Sequence, residues 1–155
     1  MTDVTTAQAA RIRPATSTDL AAVEQLLTAS SLPLDGVREA LPTYIVAEAG
    51  GVIVGVAGLE LCGEHALLRS VAVADGWRSR GLGRALVTRV IADAEARSLH
   101  ALYLLTTTAE RYFPSFGFRP ITRDVVPADV CATAEFQRAC PASAAVMMRD
   151  VCATR

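Results

Sequence analysis

Leu68-Arg69-Ser70-Val71-Ala72-Val73-Ala74-Asp75-Gly76-Trp77-Arg78-Ser79-Arg80-Gly81-Leu82-Gly83-Arg84-Ala85-Leu86-Val87 decides the fold. A β-branched run ends at Val73 and a short polar turn follows. Arg78-x-x-Gly81-x-Gly83 then opens an amphipathic helix, with Leu82, Leu86, Val87, Val90, Ile91 and Ala94 on its apolar face. Glycines at such a junction leave backbone N–H groups bare, and the helix start adds a partial positive charge. Together they form an anion site that suits a pyrophosphate.

Two familiar phosphate loops fail on particular residues. A Walker loop needs Gly-Lys-Ser/Thr, and the chain contains no lysine. A dinucleotide fingerprint needs a third glycine where Leu86 stands, and it sits in a first βαβ unit rather than at mid-chain. An Arg-x-x-Gly-x-Gly loop behind a Val-Ala-Val strand remains.

Composition narrows the class. At 155 residues with 52% apolar content, the chain suits one domain with a sizeable core. We expect a frayed tail over 1–10 and a single domain over 11–152. No apolar run approaches a membrane span, and the first ten residues lack a signal-peptide pattern, so a cytoplasmic protein without membrane contact is expected. A net charge of −1 argues against nucleic acid as partner. Cys62, Cys131, Cys140 and Cys152 form no C-x-x-C pair and no zinc spacing, so no metal site is expected.

Periodicity and turn signals give the element order. Strands are predicted over 11–15, 43–49, 52–62, 65–73, 101–105, 118–122 and 144–149. Helices are predicted over about 20–30, 37–41, 81–97, 109–116 and 127–138. The order β-α-α-β-β-β-α-β-α-β-α-β breaks the strict alternation of a doubly wound fold.

The Val71-Ala72-Val73 strand, the Arg78–Gly83 loop and Ala109-x-x-x-Phe113-x-x-x-Gly117-Phe118 resemble the acetyl-CoA-binding GNAT N-acetyltransferases over about residues 11–150. The resemblance implies their α/β fold, a mixed twisted sheet with helices on both faces. Leu104-Leu105-Thr106-Thr107-Thr108-Ala109 with Tyr112-Phe113 is similar to short N-acetylglutamate synthases. Leu67–Val73, Leu102–Ala109 and Thr133-Ala134-Glu135-Phe136 with Cys140-Pro141-Ala142-Ser143-Ala144 are similar to arsenic-resistance N-acetyltransferases.

By that resemblance the fourth and fifth strands part to admit the pantetheine arm. Backbone groups along Val71, Ala72 and Val73 would hold the acetyl and pantetheine groups and polarise the thioester. The amides of Arg78, Ser79, Arg80, Gly81, Leu82, Gly83 and Arg84 would surround the pyrophosphate, with the three arginine side chains near phosphates. Dimers are common in the superfamily, which leaves room for a homodimer.

The acceptor amine arrives protonated and needs a base. Glu60, in the apolar run Val54–Leu61, is the first candidate. The family's usual acid, a tyrosine, falls where this chain has Phe113. Tyr112 stands one residue early, about 100° round a helix, so it is expected to point elsewhere. Either a shifted helix accommodates it or water protonates the thiolate. Arg69, charged amid apolar neighbours, needs a carboxylate from the protein or from the substrate. Thr107 and Thr108 offer acceptor contacts or a helix cap, and Cys140 belongs to a segment that often covers the acceptor pocket.

The expected activity is acetyl-CoA-dependent N-acetylation of a small acidic amino acid. An arsenic- or phosphorus-containing glutamate mimic is a further acceptor, which would place the enzyme in arsenic resistance. An N-acetylglutamate synthase and a non-catalytic acetyl-CoA-sensing module are the alternatives.

Overall fold

The alternating apolar residues between 44 and 73 fold into a three-strand meander at the centre of a mixed seven-stranded sheet. The computed structural model describes residues 9–139 and 144–151. In chain order the strands are β1 Arg11–Pro14, β2 Tyr44–Ala49, β3 Val52–Cys62, β4 His65–Val73, β5 Ala101–Thr106, β6 Arg119–Ile121 and β7 Ala145–Asp150. They lie side by side as β1-β2-β3-β4-β5-β7-β6. The helices are α1 Leu20–Ala29, α2 Val37–Ala40, α3 Leu82–Ala96 and α4 Ala128–Cys131, with 3-10 turns between them. Of the expected tail, residues 1–8 lie outside the described residues, and Ala10 packs against the core.

Both faces of the sheet are covered. The apolar stripe of α3 (Leu82, Leu86, Val87, Val90, Ile91, Ala94) is buried as its spacing predicts. It packs on Leu59, Leu68, Leu102, Leu104 and Met147, with Phe113, Phe116 and Phe118 completing that core. On the opposite face α1 and α2 cover Tyr44, Val46, Val56 and Ala72. Val126 and Val130 of the α4 segment cover Cys62, Leu67, Tyr103 and Val146 there.

Two features of β4 shape the site. Gly58 pairs with Arg69 and Val56 with Ala72, so the single residue Ala57 faces both Ser70 and Val71. This is a β-bulge, and Ser70 takes φ 60° to make it. Side-chain alternation slips by one there. The pairing of β4 with β5, parallel and unlike every other pair in the sheet, covers only His65–Leu67 against Ala101–Tyr103. Beyond Leu67 the two strands part, as the resemblance implied.

Two predicted helices are shorter than expected. The 109–116 segment forms only a 3-10 turn at Phe113–Phe116. Thr106 Oγ1 accepts the amides of Thr108 and Ala109, and Pro114 supplies no N–H and disfavours a helical residue before it. The 127–138 segment stops as α4 at Cys131 and resumes as a π-turn at Glu135–Ala139. Thr133 Oγ1 donates to the Val130 carbonyl at 2.8 Å and accepts the Phe136 amide at 3.4 Å, diverting the backbone between them.

Arg13 ties the first strand to the first helix. Its Nη1 and Nη2 donate to Asp19 Oδ2 and Oδ1 at 2.9 and 3.0 Å, and Nε donates to Glu48 Oε1 at 2.8 Å. The guanidinium holds the buried Asp19 carboxyl down at about 2, against burial, with the Thr16 amide helping. A depressed carboxyl stabilises the fold above its unfolded value of 3.8, and that contribution disappears as pH falls towards about 2. We therefore expect Asp19→Asn to cost about 1–3 kcal/mol at pH 7. In urea unfolding the gap from the parent should close across that acid window. A gap independent of pH would refute the coupling.

Candidate active site

Where β4 and β5 part, the sheet encloses a cavity of about 310 Å³. Its walls come from both strands (Leu68, Arg69, Ser70, Val71; Leu104, Leu105, Thr106), from Thr107–Ala109 with Tyr112 and Phe113, from the Ser31–Pro33 loop, and from Glu135. Leu68 and Leu104 belong to the α3 face, while Arg69 lies near the other face, between Asp35 in the loop before α2 and Glu135 of the π-turn. The cavity thus passes through the sheet.

The glycine loop adjoins the cavity wall at Tyr112, which lies beside Gly83. Gly81 caps α3 with φ 85°, open space where a Cβ would sit and, among the described residues, no side-chain cap on the helix start. Ser79 also has a left-handed φ, 65°. Leu82 buries its side chain in the core, so only its backbone belongs to the loop surface. Bare amides, two left-handed residues and an unfilled helix start fit a pyrophosphate. The loop arginines are engaged but exposed: Arg80 lies 5.2 Å over Trp77, and Arg84 lies 4.6 Å over Phe116 while donating to Ser115 Oγ. Arg78 donates Nε to the Val73 carbonyl at 3.1 Å. Past Leu67 the β5-facing edge of β4 has no strand partner among the described residues, which leaves the backbone of Val71 and the amide of Val73 open to a ligand. The Ala72 side chain is packed on the opposite face.

Tyr112 corrects an expectation. It lines the cavity, and its hydroxyl lies 3.4 Å from where a Cβ on Gly83 would be. Phe113 is buried against Phe116 and Phe118. The helical phase that turned Tyr112 away does not apply, because no α-helix forms there. Burial raises the Tyr112 phenol above its ordinary range, so it stays protonated at neutral pH.

Arg69 finds its carboxylates within the protein. Its side chain is 0% exposed, with Nη1 donating to Glu60 Oε1 at 2.9 Å and Nε meeting Glu135 Oε1 at 3.1 Å. Nη2 donates to the Asp35 carbonyl, and Ser70 Oγ lies 3.3 Å from Nε. Ser70 Oγ also meets the Tyr44 hydroxyl at 2.8 Å, so the bulge is fastened from two sides. Of the two partners considered for Arg69, the protein's carboxylates are the ones it meets, which corrects its assignment to substrate binding. Glu60 is also corrected. It does not line the cavity but faces Arg69 and a neighbouring cleft with Glu39, Ala40, Pro42 and Thr43.

Thr107 and Thr108 line the cavity with exposed side chains. The turn-capping role considered for them belongs to Thr106. Cys140 lies outside the described residues. Glu135 belongs to the segment expected to cover the acceptor pocket, but sequence reasoning gave it no role; the demand of Arg69 for a carboxylate was the further signal. Burial pushes the Glu135 carboxyl up to about 7, with Arg69 pulling down and Glu60 pushing up.

Comparison with known proteins agrees with this geometry. Residues 12–118 match the model of the acetyltransferase (GNAT) family. An amino-acid acetyltransferase of Ectopseudomonas mendocina is 32% identical over 141 residues, covering 82% of this chain and 32% of that protein. The chain thus spans about a third of that relative's length. The N-acetylglutamate synthase of Neisseria gonorrhoeae, solved with coenzyme A and N-acetyl-glutamate, superposes with a TM-score of 0.79 at 19% identity, over 92% of this chain and 35% of that one. Rv2747 from Mycobacterium tuberculosis, solved with coenzyme A, superposes with a TM-score of 0.74 at 23% identity, over 90% and 98%. The bulged fourth strand, the parted sheet and the Arg78–Gly83 loop therefore have one reading: this chain belongs to the GNAT family of acetyltransferases.

Proposed function

We propose that the chain transfers an acetyl group from acetyl-CoA to the α-amino group of an amino acid. The supporting observation is the cavity through the sheet, whose wall carries the Arg69–Glu135 pair and adjoins the uncapped glycine loop at Tyr112. When bound, acetyl-CoA supplies the thioester carbon that an amine attacks and the sulfur that leaves. The amides of Arg78–Arg84 hold the pyrophosphate, and the side chains of Arg78, Arg80 and Arg84 offset its charge. Arg78 gives up the Val73 carbonyl to the pantetheine arm. The open edge at Val71–Val73 orients the acetyl carbonyl and donates to its oxygen. Tyr112 Oη supplies the proton for the leaving sulfur.

Thr107 and Thr108 hold the acceptor's carboxylate from the cavity mouth. Glutamate is the first acceptor we propose, on the similarity to N-acetylglutamate synthase and amino-acid acetyltransferase. An arsenic- or phosphorus-containing glutamate analogue is the second, resting on the sequence resemblance alone. Tyr112 in the cavity wall favours catalysis over the sensing-module alternative.

Incubation with acetyl-CoA and a panel of amines, following thiol release, tests this. Turnover with glutamate or its analogues is expected, and turnover restricted to polyamines or peptides would end the reading. Tyr112→Phe should lower kcat by about 10–100-fold with little change in KM for acetyl-CoA. An unchanged kcat would transfer the acid role to water.

A further inference from the structure

Glu135 is a carboxylate placed where a merely structural partner of Arg69 has no need to be. Its side chain is only 6% exposed, yet it forms part of the cavity wall. Oε1 takes the Arg69 contact at 3.1 Å, and Oε2 makes no hydrogen bond among the described residues. Glu60 already engages Arg69 through Nη1. One guanidinium therefore faces two carboxylates. The inner one has an oxygen to spare, and the outer one is turned to a different cleft.

We propose that Glu135 receives the acceptor's ammonium group and takes its proton, with Arg69 and Glu60 as positioning residues that hold Glu135 in place. The proposal rests on the acetyl-transfer function given above. In the step, one N–H bond of the ammonium breaks and an O–H bond forms at Glu135 Oε2. The nitrogen keeps the electron pair with which it attacks. Glu135 later releases the proton to water at the cavity mouth, so no other reactant is needed. A primary or α-amino group is the chemistry such a site selects, because the second carboxylate oxygen, in a nearly dry wall, favours a cation that can be neutralised in place.

The charged and titratable groups around Glu135 are Arg69 on β4, Glu60 on β3 and Tyr44 on β2, and Tyr112 lines the same cavity. Of these, Glu60 raises the Glu135 carboxyl and Arg69 lowers it, leaving it at about 7 after burial is included. A base works only when deprotonated. kcat/KM for the amine should therefore rise with pH through about 7 and level off above it.

The test compares wild type, Glu135→Gln, Glu135→Asp and Glu60→Gln. Coenzyme A binding by calorimetry serves as the check that each is folded. Glu135→Gln should lose about 100-fold or more in kcat and lack the acid limb, while Glu135→Asp recovers part of the rate. Glu60→Gln should move the acid limb to lower pH, since a negative neighbour is removed. Carboxyl ¹³C NMR of the ligand-free protein should show one glutamate titrating near 7 that Glu135→Gln abolishes. Glu135→Gln within a few-fold of wild type with its acid limb intact overturns the proposal, as does the absence of any carboxyl titrating above pH 6. A wild-type protein that transfers acetyl to no amine sinks the proposed function instead, and the NMR titration still reports on Glu135.

Discussion

Arg69→Met should lower folding stability by about 3–5 kcal/mol at pH 8, more than any surface change in the chain. Methionine nearly fills the space, so packing is not the main loss. The loss is charge: Glu135 would stay behind 5% exposed with no cation beside it. Its protonation offers a way out, which gives the effect a signature in pH. A carboxyl raised above its unfolded value stabilises the fold below that value, 4.5, and loses the contribution as pH rises through its folded value, here about 7. Removing Arg69 removes the one influence pulling Glu135 down, so the declining window extends higher. The gap between variant and parent should therefore be small at pH 5 and widen through pH 7 to 8. Urea unfolding at both pH values measures it, and equal gaps would show that Glu135 does not depend on Arg69.

Gly58→Ala should cost about 3 kcal/mol without touching a charge. A methyl group at this point in β3 runs directly into the Tyr44 ring. That ring is 1% exposed and has nowhere to retreat. Moving it also breaks the 2.8 Å contact between its hydroxyl and Ser70 Oγ, which holds the β4 bulge. Acetyl transfer should fall along with stability, because Val71 follows Ser70 in the same bulge. A Tyr44→Leu background separates the causes: the alanine should cost much less there, a coupling readable from a double-mutant cycle. Equal costs in both backgrounds would show that the ring is not the obstacle.

Local chemistry made much of this molecule legible in advance. The α3 stripe and the Arg78–Gly83 loop each carry their cause within a few residues of chain. The predicted strands agree with the observed ones to within a residue or two at each end. The two helices that shortened failed for local reasons as well: Thr106, Thr133 and Pro114 each compete for backbone groups that a helix would use. The site was less legible because its decisive contacts are long-range. Arg69 meets Glu60 nine residues away and Glu135 sixty-six residues away, and nothing in the sequence ranks those two carboxylates. Tyr112 was misread because its direction depends on a helix that the chain does not form.

The sheet has a thermodynamic peculiarity in its short parallel pairing. His65–Leu67 against Ala101–Tyr103 is the whole of the ladder that fastens a four-stranded ribbon to a three-stranded one. Below that seam two strand edges lie open to each other with room for a backbone between them. An elongated molecule with amide groups, laid into the gap, completes the ladder as an eighth strand. Donor occupancy and the mechanical unity of the sheet are then one equilibrium, and the ribbon joint tightens by RT ln(1 + [L]/Kd) as the donor binds.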